Sequence, residues 1–95
     1  MKLFGQYLRS KRQQVGLSQL DVSKKLGYTS SQFVSNWERG VSAPPLSIYH
    51  QLADLYQLGL EDLFEQSLEA KVREVRSSYQ KEFEIVAQKQ DQREL

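Results

Sequence analysis

The segment Ser18 to Gly40, SQLDVSKKLGYTSSQFVSNWERG, constrains this chain more than any other stretch. Ser18 is a good N-cap for a helix running through Leu26, with Leu20 and Leu26 facing inward and Val22 beside them. Gly27 is placed to end that helix in the left-handed conformation. Tyr28, Thr29 and Ser30 make a tight turn, and either Thr29 or Ser30 can cap a further helix that Gly40 stops after Arg39. Val34 and Trp37, at i and i+3, give that helix its apolar side. The segment is thus two short helices joined by a turn, the second opening on small polar side chains.

The flanks supply the remaining elements. Phe4, Leu8 and Val15, with Tyr7 nearby, recur at helical spacing and predict a helix over 2–14 that ends before Gly16. Val41 to Pro45 is a loop, because the Pro44-Pro45 pair forbids helix until Leu46. Leu46, Tyr49, Leu52, Ala53 and Tyr56 then mark a fourth helical face, broken by Gly59. From Leu60 onward there is no Pro and no Gly, and the composition favours helix. Leu60, Leu63/Phe64, Leu68, Val72, Val75, Tyr79, Phe83 and Val86 lie three or four residues apart, predicting a helix from about 60 to about 88, roughly 40 Å long. No strand signal and no internal repeat appear. The expectation is an all-α fold: a five-helix domain over residues 1–66 and a long helical extension over 67–95.

Composition narrows the function classes. With 95 residues, 39% hydrophobic and 26% charged, the chain suits one small domain with a modest core. The absence of cysteine removes disulfide frameworks, thiolate zinc sites and cysteine nucleophiles together. There is no Gly-rich phosphate loop, no HExxH and no Ser/His/Asp arrangement, so neither enzymatic activity nor a cofactor is expected. Glu61, Asp62 and Glu65 complement the dipole of the last helix rather than a metal, and His50 is expected as a half-buried packing residue. The first residues, MKLFGQYLRSKRQQ, lack an apolar targeting core and no membrane-spanning run exists, so a soluble cytoplasmic protein is expected. The net charge of +1 conceals a division. Residues 1–59 hold seven Lys/Arg against three acids, whereas residues 60–95 hold six against nine. A basic front part suits a polyanion, and an acidic rear part suits staying off it.

Residues 3–64 resemble the lambda-repressor-like, Cro-type (XRE) helix-turn-helix family. The resemblance is carried by LRSKRQQVGLSQLDVSKKLG, by VSNWERG, and by the Pro-Leu…Leu-Ala…Leu-Gly-Leu-Glu-Asp-Leu-Phe pattern. It implies sequence-specific binding of double-stranded DNA, with the second helix of the motif entering the major groove. Leu26 to Trp37 holds one residue more than the common spacing, which lengthens the turn and shifts the register of base contacts by up to a position. The loop Val41-Ser42-Ala43 lacks the basic residues often found there, and Tyr49 and His50 stand where the family usually has aliphatics.

The residues themselves support the same assignment. Ser30, Ser31, Gln32, Ser35 and Asn36 offer the short or amide side chains that reach base edges with both donors and acceptors. The resemblance places Ser31, Gln32 and Asn36 at base-contacting positions, and a Gln or Asn there can bind adenine in a bidentate way. Phe33 can touch a thymine methyl or pack inward. Gln19 starts a helix where free N–H groups attract a phosphate, and Ser18 serves there as cap or as phosphate donor. Ser30, Lys11, Lys24 and Lys25, with Arg9, are candidate phosphate contacts that add affinity rather than sequence reading. The resemblance further implies an ion pair between Arg12 and Glu38 that locks the recognition helix against the first helix, with a phosphate contact by Arg12 as the alternative.

Leu68, Val72, Val75, Tyr79, Phe83 and Val86 form an apolar stripe too long for the small domain to cover. The 4-3-4 spacing from Leu68 to Tyr79 suits a coiled-coil seam, and the next step of four to Phe83 breaks a strict heptad. The expected protein is a transcriptional repressor whose tail pairs with its copy on a palindromic operator. The alternative is an antitoxin-like protein whose tail binds a partner protein while the front part autoregulates its operon.

Overall fold

The computed structural model describes the backbone of residues 1–94 and side chains through Lys89. Five α-helices follow in order: α1 (Lys2–Gln14), α2 (Gln19–Lys25), α3 (Gln32–Arg39), α4 (Tyr49–Tyr56) and α5 (Leu60–Glu94), with a 3-10 turn Leu46–Ile48 leading into α4. Among the described residues there is no strand. The all-α, five-helix architecture with a long last helix stands as the sequence predicts.

Each of the first four helices stops in the same way. A residue with positive φ follows the helix, its N–H bonds back three residues, and the next N–H bonds back five, closing the last carbonyls. Gly16, Gly27 and Gly40 do this after α1, α2 and α3. After α4 the residue is Gln57, at φ 56°, so that helix ends at Tyr56, three residues before the Gly59 expected to break it. A left-handed Gln is strained, and the two hydrogen bonds, Gln57 N–H to Asp54 and Leu58 N–H to Ala53, offset that strain.

The core gathers one stripe from each helix: Phe4 and Leu8, Val22, Val34 and Trp37, Tyr49, Leu52, Ala53 and Tyr56, and Leu63. Three expectations fail on register. Leu20 is exposed, since two residues along a helix turn it roughly 200° away from the fully buried Val22. Leu46 is exposed because it lies in the 3-10 turn ahead of α4. His50 is exposed rather than half-buried, because Tyr49, Leu52, Ala53 and Tyr56 already define the inward face of α4.

The backbones of α1 and the end of α3 approach closely. A Cβ on Gly5 would come within 2.4 Å of the Glu38 carbonyl oxygen and 2.6 Å of that of Trp37. A Cβ on Gly40 would meet Lys2 Cα at 2.8 Å. A glycine inside α1 costs about 1 kcal/mol of helix propensity, and it is what allows the two backbones to touch.

The first turns of α5 pack on α4 and α1 through Leu63, Ser67 and Ala70. Ser67 returns its hydroxyl proton to the Phe64 carbonyl at 2.8 Å. From Lys71 to Gln88 every side chain but Ala87 is exposed, and the α-amino group of Met1 holds Glu74 at 2.6 Å. That ammonium lies against the Glu74 carboxylate and keeps it below the usual carboxylate range. The boundary expected at 66/67 therefore falls inside one unbroken helix, which runs past the expected end near 88 to Glu94. Leu95 and the side chains of 90–95 lie outside the described residues.

Two substitutions of opposite sign test this packing. Gly5→Ala is expected to destabilise the domain by about 2 kcal/mol or more, because the obstructing atoms are backbone. Ser23→Ala is expected to stabilise it by about 1 kcal/mol, since the Ser23 hydroxyl is fully buried without a hydrogen-bond partner. Urea unfolding of the full chain, read at the midpoint, checks both.

Candidate nucleic-acid interface

The interface begins with what fixes α3. Arg12, near the end of α1, donates from Nε to Glu38 Oε2 at 2.6 Å and from Nη2 to Oε1 at 3.0 Å. Its third arm, Nη1, reaches the Leu17 carbonyl at 2.8 Å. Gln19, the first residue of α2, donates from Nε2 to the same Glu38 Oε1 at 3.0 Å. Side chains of α1 and α2 thus converge on one buried carboxylate of α3, and the α1–α2 loop holds Arg12 in place. The Arg12 pKa is raised, chiefly by the hydrogen bond to Glu38. Tyr56, buried close by, has its phenol pushed well above its usual value by burial and then by the Glu38 carboxylate, so it stays neutral.

The opposite face of α3 is free. Val34, Trp37 and Glu38 point into the domain, while Gln32, Phe33 and Arg39 are exposed and Ser31, Ser35 and Asn36 half-buried. Along this face Gln32 Nε2 donates to Asn36 Oδ1 at 2.9 Å, and Arg39 Nη2 donates to the same oxygen at 2.7 Å. Arg39 joins this row beyond the residues expected from the sequence, and its spacing of i, i+4, i+7 with Gln32 and Asn36 is the signal that places it there.

The start of α3 differs in detail from the expectation. Ser31 occupies the N-cap position without a side-chain cap bond, and Ser30 Oγ accepts from the Gln32 N–H at 3.3 Å. The lengthened turn is anchored by aromatic contact. Tyr28 packs on Phe33 with ring centroids 4.8 Å apart and meets Trp37 edge-on at 5.9 Å. Phe33 still keeps 53% of its surface exposed.

The start of α2 is a capping box. Ser18 Oγ accepts from the Asp21 N–H at 3.0 Å, and Asp21 Oδ2 accepts from the Ser18 N–H at 2.9 Å. The hydroxyl of Ser18 is therefore used as a cap. The hydrogen bonds to Ser18 hold the Asp21 carboxyl below its usual range. Lys24 and Lys25 are exposed at the far end of α2 from Gln19, and Lys11 lies half-buried with Nζ 5.6 Å from the centre of the Tyr7 ring. Because Arg12 and Glu38 cancel inside, the outer charge of residues 1–59 is six cations against Asp21 and Asp54. Among the described residues no group of three or more His, Asp or Glu side chains is arranged to hold a metal ion, and no helix is long and apolar enough to cross a membrane.

A short helix held rigidly by its inner face, carrying amides and a guanidinium outward, and preceded by a capped helix across a turn, defines a DNA-binding helix-turn-helix domain. The profile of the family described as Helix-turn-helix matches residues 8–63. No curated protein and no solved structure matches the chain. The chain belongs to the lambda-repressor/Cro-like (XRE) helix-turn-helix family, whose members are DNA-binding transcriptional regulators.

The buried carboxylate gives a sharp expectation. Glu38→Leu strands the Arg12 guanidinium in the interior and should cost about 3–5 kcal/mol. Adding Arg12→Met removes the stranded charge, so the double variant should be more stable than Glu38→Leu alone. A double-mutant cycle by urea unfolding checks the order.

Proposed function

We propose that this protein is a sequence-specific regulator of transcription, acting as a repressor by occupying a palindromic operator as a homodimer. The observation that carries the reading is the outward row on α3, where hydrogen-bonding groups stand on a helix anchored by Val34, Trp37 and Glu38. Ser31, Gln32, Ser35 and Asn36 are assigned to base edges. Asn36 Oδ1 already accepts two hydrogen bonds, so its Nδ2 and the free Gln32 Oε1 are the groups offered to bases. Lys11, Lys24, Lys25 and Ser30 are assigned to phosphates, together with the first turn of α2 at Ser18 and Gln19. Repression requires nothing beyond occupancy of the DNA, which makes it the simplest use of such a domain.

Dimerisation is assigned to α5. Leu68, Val72, Val75, Tyr79, Phe83 and Val86 are all exposed on one side of the helix, with Tyr79 at 74% and Phe83 at 67%. A helix standing clear of its own domain gains little stability alone, and an apolar stripe of this length is covered by pairing. At its root the stripe continues into a recess of about 320 Å³ lined by Met1, Pro44, Leu46, Tyr49, Phe64 and Leu68, which widens the apolar surface available to a second copy.

Selection of bound DNA from a random pool with the full chain is expected to return a palindrome with half-sites about one helical turn apart. On the selected site, Gln32→Ala with Asn36→Ala should weaken binding about ten- to a hundredfold and leave non-specific binding in place. Absence of any enrichment at moderate salt would refute sequence-specific binding. Sedimentation should give a dimer for the natural chain and a monomer for Val75→Glu/Tyr79→Glu. A natural-chain monomer at micromolar concentration would instead leave the α5 face to a different protein, as in an antitoxin.

A further inference from the structure

We propose that Arg39 reads a guanine in the major groove, with its guanidinium set in place by the Asn36 amide oxygen. The inference rests on α3 being the reading helix. Arg39 lies in the last turn of α3, where a base reader is not expected, since the N-terminal residues of a recognition helix approach the bases first. Its side chain does not stay there. Helical side chains lean toward the N-terminus, and Arg39 Nη2 reaches Asn36 Oδ1 at 2.7 Å, a full turn back, beside Gln32.

The chemistry of the contact fixes its polarity. A guanidinium has only donors, so the group facing it must be the oxygen of the Asn36 amide. Gln32 Nε2 supplies the second donor to the same oxygen at 2.9 Å, and both lone pairs are engaged. The pattern left facing outward is an acceptor at Gln32, a donor at Asn36 and the remaining N–H groups of Arg39.

A planar fork of donors matches the O6 and N7 acceptors of guanine, and no other base edge in the major groove presents two acceptors side by side. Because one N–H is already tied to Asn36, the fork arrives with part of its rotamer freedom removed, which favours a directional base contact over a mobile phosphate contact. Arg39 has no carboxylate partner among the ion pairs of the described residues. Its nearest polar partner is the amide that belongs to the reading face.

The test compares the natural chain with Arg39→Ala and Arg39→Lys in the same random-pool selection, followed by binding measured against salt. The natural chain is expected to enrich a half-site with one invariant guanine. Both variants should lose that preference alone, with affinity for the guanine-containing site falling about ten- to a hundredfold while other positions keep their preferences. Lysine keeps the charge but lacks the fork, so Arg39→Lys losing the guanine while keeping the salt slope supports base reading. Weakening by Arg39→Ala that is uniform across sequences, with a shallower salt slope and rescue by lysine, would assign Arg39 to phosphate and overturn the proposal. Unchanged selection in both variants would also overturn it. If the natural chain itself enriches nothing, the fault lies in the reading of α3 and not in Arg39.

Discussion

The carboxylate of Glu38 is the point on which the rest of the domain turns. A buried ionised group demands partners, and here they come from two directions, Arg12 from α1 and Gln19 from α2, with Arg12 itself held by the Leu17 carbonyl between them. Such a pair adds little net stability over an apolar substitute, because removing two ions from water offsets most of their attraction. Its value is directional. The hydrogen bonds are satisfied in only one relative placement of the three helices, and that placement aims the outer face of α3. The backbone contact of Gly5 with the last carbonyls of α3 sets the distance, while the ion pair sets the angle.

The arrangement also gives Gln19 a structural part at the start of α2. With its amide nitrogen on Glu38, the side chain is committed inward, and the capping box uses the Ser18 hydroxyl. What α2 presents to an anion is then its first backbone N–H groups and the positive end of its dipole. The lysines that would reinforce such a contact stand at the other end of the helix.

Much of the fold was legible because its signals are local. Glycine stops after α1, α2 and α3, the Ser18 cap, the Pro44-Pro45 interruption and the three- and four-residue spacing of α5 each act within a turn or two of chain. What is not local is the register of a short helix, which its neighbours in the fold decide. Leu20 looked inward by hydropathy, yet α2 spends its inner face on Val22 and Ser23. Gln57 replaced Gly59 as the end of α4 because hydrogen bonding of the last carbonyls can outweigh the strain of a left-handed residue. Gly5 was invisible as a packing residue, since close approach of two backbones leaves no trace in periodicity. On the candidate interface, the residue types and their face could be read from the sequence. The sharing of Asn36 Oδ1 could not, because it depends on how far Arg39 folds back along the helix.

One consequence follows from α5 being continuous from Leu60 to Glu94. Its first turns are part of the core that holds α3, and its later turns carry the exposed apolar stripe, with no joint between them. The bearing of that stripe relative to the outer face of α3 is therefore a count of residues: each one added or removed after Ala70 swings everything beyond it by about 100° and shifts it by about 1.5 Å. A hinge would let such an error relax. A rigid rod transmits it undiminished, so insertions that a surface loop would absorb here re-aim whatever grips the far end.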